Sequence, residues 1–293
     1  MKNKTITGQL ILNIFFVILS LAYIIPFLLL ISISLSSDQS IREFGYTVFP
    51  KIISFDAYKM IFESPGTILN AYAVTIIFSL VTMVLSVIVM TMVAYPLSRK
   101  NCVFRKPLSY YIFFTMIFSG GMIPSYIINT KYLHLNDTIL VYILPALVNA
   151  WNIIVIRTFF QGLPEGLVEA AKIDGAGEAY TFVKIILPLS KPVIATMCFL
   201  TLLAKWNDWN TSLLYIRNER LYSLQYMLQR ILREVEFVKN SVSRGDSLLD
   251  SSNLPTESVR YAMALVAAGP MLVVFPFFQK YFAQGLTVGA IKG

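Results

Sequence analysis

Six separate stretches of this chain are apolar over twenty or more residues, at roughly 9–35, 70–97, 107–128, 138–160, 193–216 and 260–283. An α-helix needs about 20 such residues to cross the hydrocarbon layer of a bilayer. No water is present there to satisfy the backbone, so each stretch must close its own hydrogen bonds as a helix. The expectation is an all-α integral membrane protein with six transmembrane helices, built as a single membrane domain over residues 1–293. Composition agrees, with 56% hydrophobic residues and only 14% charged. A water-soluble domain carries about a quarter charged residues to face its solvent. Pro26, Pro124, Pro145 and Pro270 fall within or near the apolar stretches, where neighbouring helices can satisfy the carbonyls that proline frees.

The first stretch follows Lys2 and Lys4, as a secretory leader would. Its apolar core of about 25 residues exceeds the 7–15 of a leader, and no A-x-A site follows. It reads as a retained first span. Net charge is +8, yet the basic residues are scattered or flank apolar runs. They form no dense stripe of the kind phosphate backbones require, so nucleic acid is not expected as a partner. Cys102 and Cys198 have no C-x-x-C spacing, and neither a disulfide framework nor a metal site is indicated.

Six spans place both termini on one side. The short segment "SRKNCVFRKP" at 98–107 is dense in Arg and Lys and free of acids. Positive charge in short loops close to span ends marks the cytoplasmic face, so this loop and both termini are expected there. On the opposite side, residues 36–69 carry turn signals. The longer segment 217–259 places Leu221, Leu224, Leu228, Ile231, Leu232 and Val235 at helical spacing, with Arg230, Arg233 and Glu234 on the other face. That pattern reads as a helix packed on the outer mouth; a docking surface for an external partner is the alternative.

One region interrupts the apolar pattern. In "QGLPEGLVEAAKIDGAG", Pro164 suits a first turn and Glu165 suits the positive end of a helix. Leu163, Leu167, Ala170 and Ala171 are expected along one face, with Glu165, Glu169 and Lys172 on the other. Gly175 is placed to stop the helix in a left-handed conformation. "EAYTFVKIILP" then starts a second short helix, expected to end at Pro188, and Ser190 and Pro192 open the next span. The whole of 161–191 reads as a cytoplasmic helix–turn–helix. From the residues alone, it serves equally as a knob for a soluble partner or as a connecting hairpin.

Here the chain resembles a known family. Permeases of binding-protein-dependent ABC importers carry a loop of pattern E-A-A-x3-G-x9-I-x-L-P. This sequence reads Glu169-Ala170-Ala171, then Gly175, then Ile185, then Leu187-Pro188. Asp174 lies within the same frame. The resemblance implies that this loop is a coupling helix between the fourth and fifth spans, docking into a cleft of an ATPase subunit. "NAYAVTI" and "AYPLSRK" within 70–100, "KWNDWN" at 205–210 and the terminal "FQKYFAQGLTVGAIKG" are similar to the carbohydrate-uptake branch, of the maltose permease type. The extended "GGMIPSYIINTKYLHLND" points, within that branch, to larger or modified oligosaccharides, acidic ones included.

The resemblance implies a division of labour. This chain forms half of a translocation path in the cytoplasmic membrane, beside a second, non-identical permease. An extracytoplasmic solute-binding protein delivers the carbohydrate. A dimer of ATP-binding subunits holds ATP and Mg, so no cofactor and no catalytic residue are expected in this chain. Specificity rests largely with the binding protein, and the sugar is not legible here.

Candidate substrate contacts are Trp206, Asn207 and Trp209 in the fifth span, and Trp151 and Asn152 in the fourth, where Asn149 is similar. Aromatic faces stack on sugar rings and amides bond hydroxyls. An interfacial aromatic belt, with Lys205 and Asp208 neutralising each other at i, i+3, accounts for the first group as well. Interhelical hydrogen bonding does so for the second. His134, the only histidine, reads as a solvated loop residue. The glycines at 285, 289 and 293 suggest a tail lying against the ATPase pair. No Walker-type G-x4-G-K-[ST] and no G-x-S-x-G occurs, which argues against a stand-alone enzyme. The rival from another class is an ion-coupled secondary transporter. Such proteins embed ionisable groups and show repeated halves; here embedded charges are few and the halves do not match.

Overall fold

The computed structural model describes the backbone of residues 2–63, 65–243 and 257–288. Among these, every regular element is a helix; the sole strand-like feature is an isolated bridge between Ser36 and Ile53. In chain order the α-helices are α1 (Lys2–Ser34), α2 (Asp38–Phe44), α3 (Asp56–Ile61), α4 (Pro65–Ser98), α5 (Arg105–Ile117), α6 (Met122–Ile127), α7 (Leu140–Ile143) and α8 (Ala150–Gln161). They continue as α9 (Glu165–Ile173), α10 (Glu178–Thr181), α11 (Leu187–Leu189), α12 (Lys191–Trp206), α13 (Asn210–Tyr215), α14 (Leu224–Ser243) and α15 (Glu257–Val288).

Three single helices are long and apolar enough to cross a membrane, at Gly8–Ser34, Pro65–Ser98 and Glu257–Tyr281. Three further stretches meet the test only as bent pairs: Arg105–Ile117 with Met122–Tyr132 at 110°, Leu140–Ala146 with Ala150–Gln161 at 47°, and Glu178–Leu189 with Lys191–Trp206 at 78°. Each break has a local cause. Between α5 and α6 the chain passes Gly120 and Gly121, and Gly121 takes φ +84, a conformation only glycine enters at no steric cost. At α8 the Asn149 side chain accepts a hydrogen bond from the Asn152 N–H at 3.0 Å and starts a new helix. At the foot of α12, Ser190 leaves helical geometry with φ −97 and ψ 10.

The chain divides into two compact units. The first comprises residues 1–68 and 227–270. Within it, Asp38 at the start of α2 accepts hydrogen bonds from the backbone N–H groups of Glu257 and Ser258 and from the Ser258 hydroxyl. The residues of α1 from Leu10 to Leu28 present large exposed apolar side chains, as a lipid-facing helix does.

The second unit comprises residues 69–226 and 271–293 and holds the region that interrupted the apolar pattern. Its core gathers Val87, Met90, Ala94 and Leu97 of α4, Ile153, Ile156 and Phe160 of α8, Val168 of α9, Ile186, and Val193 and Met197 of α12. Along α4, the small residues Thr75, Ser79, Thr82 and Ser86 are fully buried, which lets helix backbones approach closely.

The amphipathic segment expected after residue 217 is α14, where Leu224, Leu228 and Val235 are buried and Arg230 and Glu234 pair at 3.0 Å on the exposed side. Residues 244–256 of that loop, and 289–293 of the glycine-bearing tail, lie outside the described residues.

Candidate functional site

The hairpin at 161–191 is built by two stop signals. Pro164 precedes α9, and Glu165 occupies its first position, where a carboxylate meets the positive end of the helix. At the other end Gly175 has φ +77. Its N–H bonds the Lys172 carbonyl at 3.1 Å, and the Ala176 N–H bonds the Ala171 carbonyl at 2.9 Å. This pair of bonds is a Schellman cap, which satisfies carbonyls the helix leaves open. Gly177 then begins α10 from an extended conformation, at φ −73.

The second arm departs from the expected boundary. It does not end at Pro188 but runs on through α11 to Leu189. A proline inside an α-helix removes a hydrogen bond and collides with a carbonyl one turn back. Residues Phe182–Ile186 adopt a π-helix instead, and the Leu187 N–H reaches back to Phe182. That wider turn lies immediately before Pro188, which sits in the opening positions of the next α-helical segment, where its missing N–H costs little.

The two faces of α9 also divide differently from the expected pattern. Val168 and Ala171 are buried at 6% exposure each, and Val168 joins the core shared by α4, α8 and α12. Leu163 is half-buried against that core. Leu167 and Ala170 face outward together with Ile173, which is 85% exposed, and with Glu169 and Asp174. The helix therefore carries two apolar stripes, one anchored and one bare. Of the remaining loop residues, Ile185 is half-buried, Leu187 half-buried and Pro188 exposed.

One exposed ion pair joins the hairpin to the end of α4 and a second closes its two arms on each other. Lys100 pairs with Glu165 at 2.9 Å, and Lys172 with Glu178 at 2.9 Å. The Tyr95 hydroxyl of α4 donates to Glu178 at 2.7 Å. Tyr95 in turn packs on Phe182, ring centroids 4.9 Å apart. Sequence reading missed Tyr95 and Glu178, which lie 83 residues apart and share no motif.

The other candidates separate. Trp206 is 3% exposed and sits 6.3 Å from the Tyr72 ring. Lys205 and Asp208 pair at 2.8 Å with 17% and 11% side-chain exposure. Asp208, between α12 and α13, also accepts from the Thr211 N–H and hydroxyl. Asn207 donates to the Leu203 carbonyl at 2.9 Å, and Gln225 donates to its Oδ1 at 3.3 Å. Asn207 and Trp209 present surface. In α8, Trp151 is 50% exposed while Asn152 is buried. Within the group at 205–210, Asn207, Trp209 and Asn210 combine exposure with sugar-binding chemistry. His134 is exposed, with φ +49.

Residues 71–288 match the family described as the binding-protein-dependent transport system inner membrane component. The chain belongs to that family. Two relatives from Bacillus subtilis (strain 168) are similar along nearly their whole length. Protein LplC is 38% identical over 92% of this chain and 90% of its own. The polygalacturonan/rhamnogalacturonan transport system permease protein YtcP is 35% identical over 100% of both. Among solved structures, a chain of a bacterial ABC transporter involved in the import of the acidic polysaccharide alginate superposes with a TM-score of 0.76 at 28% identity, covering 96% of this permease and 98% of that chain. The resemblance read from the residues is thus borne out at the level of family and of a helical membrane fold.

Proposed function

We propose that the chain is the permease subunit of an ATP-driven importer of oligosaccharides. It would form half of the translocation path and take its drive from cytoplasmic ATPase subunits through the hairpin at 161–191. The observation that carries this is the double-faced α9, with Val168 and Ala171 seated in the core and Leu167, Ala170 and Ile173 bare. A helix so arranged can be gripped from outside while moving the helices it packs on. Glu169 and Asp174, exposed beside the bare stripe, are placed to meet cations on the ATPase. The hairpin and both termini would be cytoplasmic, with six spans if Arg105–Tyr132 and Leu140–Gln161 each cross once and the Lys191–Trp206 helix crosses without the Glu178–Leu189 arm. ATP and Mg would belong to the ATPase pair, and a second permease and a solute-binding protein would complete the assembly.

Relatives named for polygalacturonan or rhamnogalacturonan, and a structural neighbour named for alginate, support a polymer-derived, acidic oligosaccharide as the cargo class. Asn207, Trp209 and Trp151 are the residues of this chain that would meet it; Trp206 and Asn152 would support them from behind. Lys205 and Asp208 neutralise each other and leave no unpaired charge there for ion coupling.

The test is to tag the chain in its native cell, solubilise it gently and identify what co-purifies. An ATPase, a second permease and a solute-binding protein are expected, with uptake that requires ATP. Recovery of this chain alone, still active in uptake without ATP, would replace the proposal with secondary transport.

A further inference from the structure

Where α5 begins and α8 ends, two arginines meet without a counter-ion. Arg157 Nη1 of α8 donates to the Ser109 hydroxyl of α5 at 2.9 Å. With its amide oxygen turned toward them, Gln161 accepts from Arg157 Nε at 3.3 Å and from Arg105 Nη2 at 3.0 Å. One neutral oxygen therefore stands between two cations. Among the described residues, neither guanidinium pairs with a carboxylate. Like charges this close repel, and an anion set between them removes the repulsion. Their remaining donors can be reached: both residues are half-buried, and neither has a buried donor that lacks an acceptor.

The place of the pair in the fold narrows the choice of anion. Arg105 is the first residue of α5, and Ser109 lies one turn further in; Arg157 lies one turn inside the end of α8. One turn is about 5.4 Å, comparable to the polar layer of roughly 5–7 Å that covers each side of the hydrocarbon. Beyond the arginines, α5 buries none of its residues. Ile112 packs against the core shared by α4, α8 and α12, while Leu108 and Tyr111, on the flank of that packed face, are exposed. The pair thus offers cations at headgroup level with bare apolar surface beside them. A carboxylate on a soluble partner would meet the cations and leave the flank uncovered. Guanidinium forks hold phosphate oxygens two at a time, and basic pockets between membrane helices hold lipid phosphates.

We propose that Arg105 and Arg157 hold the phosphodiester of an anionic phospholipid, with an acyl chain along Leu108 and Tyr111. Two cations with no carboxylate between them favour a headgroup of net negative charge over a zwitterionic one. A soluble phosphate offers the arginines the same chemistry without the chain. The inference rests on α5 and α8 crossing the bilayer, as proposed above, and not on coupling to an ATPase, so its failure leaves the importer reading standing.

A phosphatidylglycerol with a photoreactive group in one acyl chain provides the probe. It is added to the delipidated, detergent-solubilised full chain, together with any subunits that co-purify. After irradiation, peptide mapping should place the label on α5 or α8. Unlabelled phosphatidylglycerol should compete about tenfold better than phosphatidylcholine, since each nearby cation favours an anionic headgroup. Replacing Arg105→Gln and Arg157→Gln together should erase that preference, whereas Lys131→Gln, in the turn that follows α6, should keep it. Label on neither helix, or equal competition by the two lipids, would overturn the site, and both readings come from the unmodified chain. A preference that survives the double replacement would overturn it as well. Competition by inorganic phosphate as strong as that by phosphatidylglycerol would overturn the lipid assignment and give the arginines to a soluble anion.

Discussion

The hairpin before α12 and the segment at the far end of α12 use their polar groups in opposite ways. On α9 of the hairpin, charges and apolar groups are turned outward: Ile173 is 85% exposed and Glu169 is exposed beside it. At the end formed by "KWNDWN", the polar groups are turned inward. Lys205 and Asp208 close on each other, Asp208 also accepts from the Thr211 N–H of the next helix, and Trp206 is buried. An unusual run of residues in a membrane protein can therefore be an address for a partner or a local knot. Composition does not distinguish them; the satisfaction of each group by its own chain does.

This contrast can be broken experimentally, and the largest effect belongs to the inward end. Replacing Asp208 by Ala leaves the Lys205 ammonium largely buried and alone, which should cost about 3 kcal/mol. Thermal unfolding in detergent should show the loss, and the double replacement Lys205→Met with Asp208→Leu should recover most of it. An unchanged melting point for Asp208→Ala would mean that the pair is not a structural knot.

Next in size is the hairpin turn. Gly175→Val forces a β-branched residue to φ +77, costing about 1–2 kcal/mol. No neighbouring atom lies within 4 Å of the site of the added Cβ, so the effect is backbone strain alone. Gly175→Asn, which tolerates this region, should retain most uptake. If Val and Asn perform alike, the Schellman cap does not set the hairpin.

Glu169→Lys should shift stability by no more than about 0.5 kcal/mol, as exposed surface changes do. It should nonetheless abolish ATPase association and uptake. Normal uptake in that variant would remove the outward end from function and erase the contrast.

The smallest effect concerns the loop at 133–138. The backbone N–H groups of Asn218 and Arg217 hold the Asp137 carboxyl below its ordinary value of 3.8. Its folded-state pKa is depressed, so the contribution is present above that ordinary value and lost as pH falls through the folded one. Stability in detergent should decline more steeply below pH 3.8 in the unmodified chain than in Asp137→Asn.

The hairpin was legible in sequence because its stop signals are local: a proline before the first turn, a glycine at the left-handed position and a fixed spacing between them. The family pattern added the expectation of a coupling role for them. The membrane class was equally legible, since hydropathy sums over any backbone path. That indifference is also why two apolar stretches read as single spans are bent pairs. The turn at Gly120–Gly121 and the new helix start at Asn149 leave the apolar content of 107–128 and 138–160 unchanged, and the third bend, at Ser190, precedes 193–216. The π-helix before Pro188 has no period of its own over five residues, and a proline rule taken alone ends the helix too early. Tyr95 with Glu178, and Arg99 stacked on the Tyr95 ring, form a cluster joined by a contact between segments 83 residues apart, which leaves no trace in local order.

Val168 of the hairpin shares one close-packed cluster with Met90, Ile156 and Met197. Protein interiors pack at crystal density and have little compressibility. The hairpin is thus bolted to three helices at once, with no cushion between. A partner that drags it by even one ångström will find no soft layer to absorb the stroke, and the motion must reappear as a tilt or slide of α4, α8 and α12. In mechanical terms, the cluster makes the joint a gear without backlash.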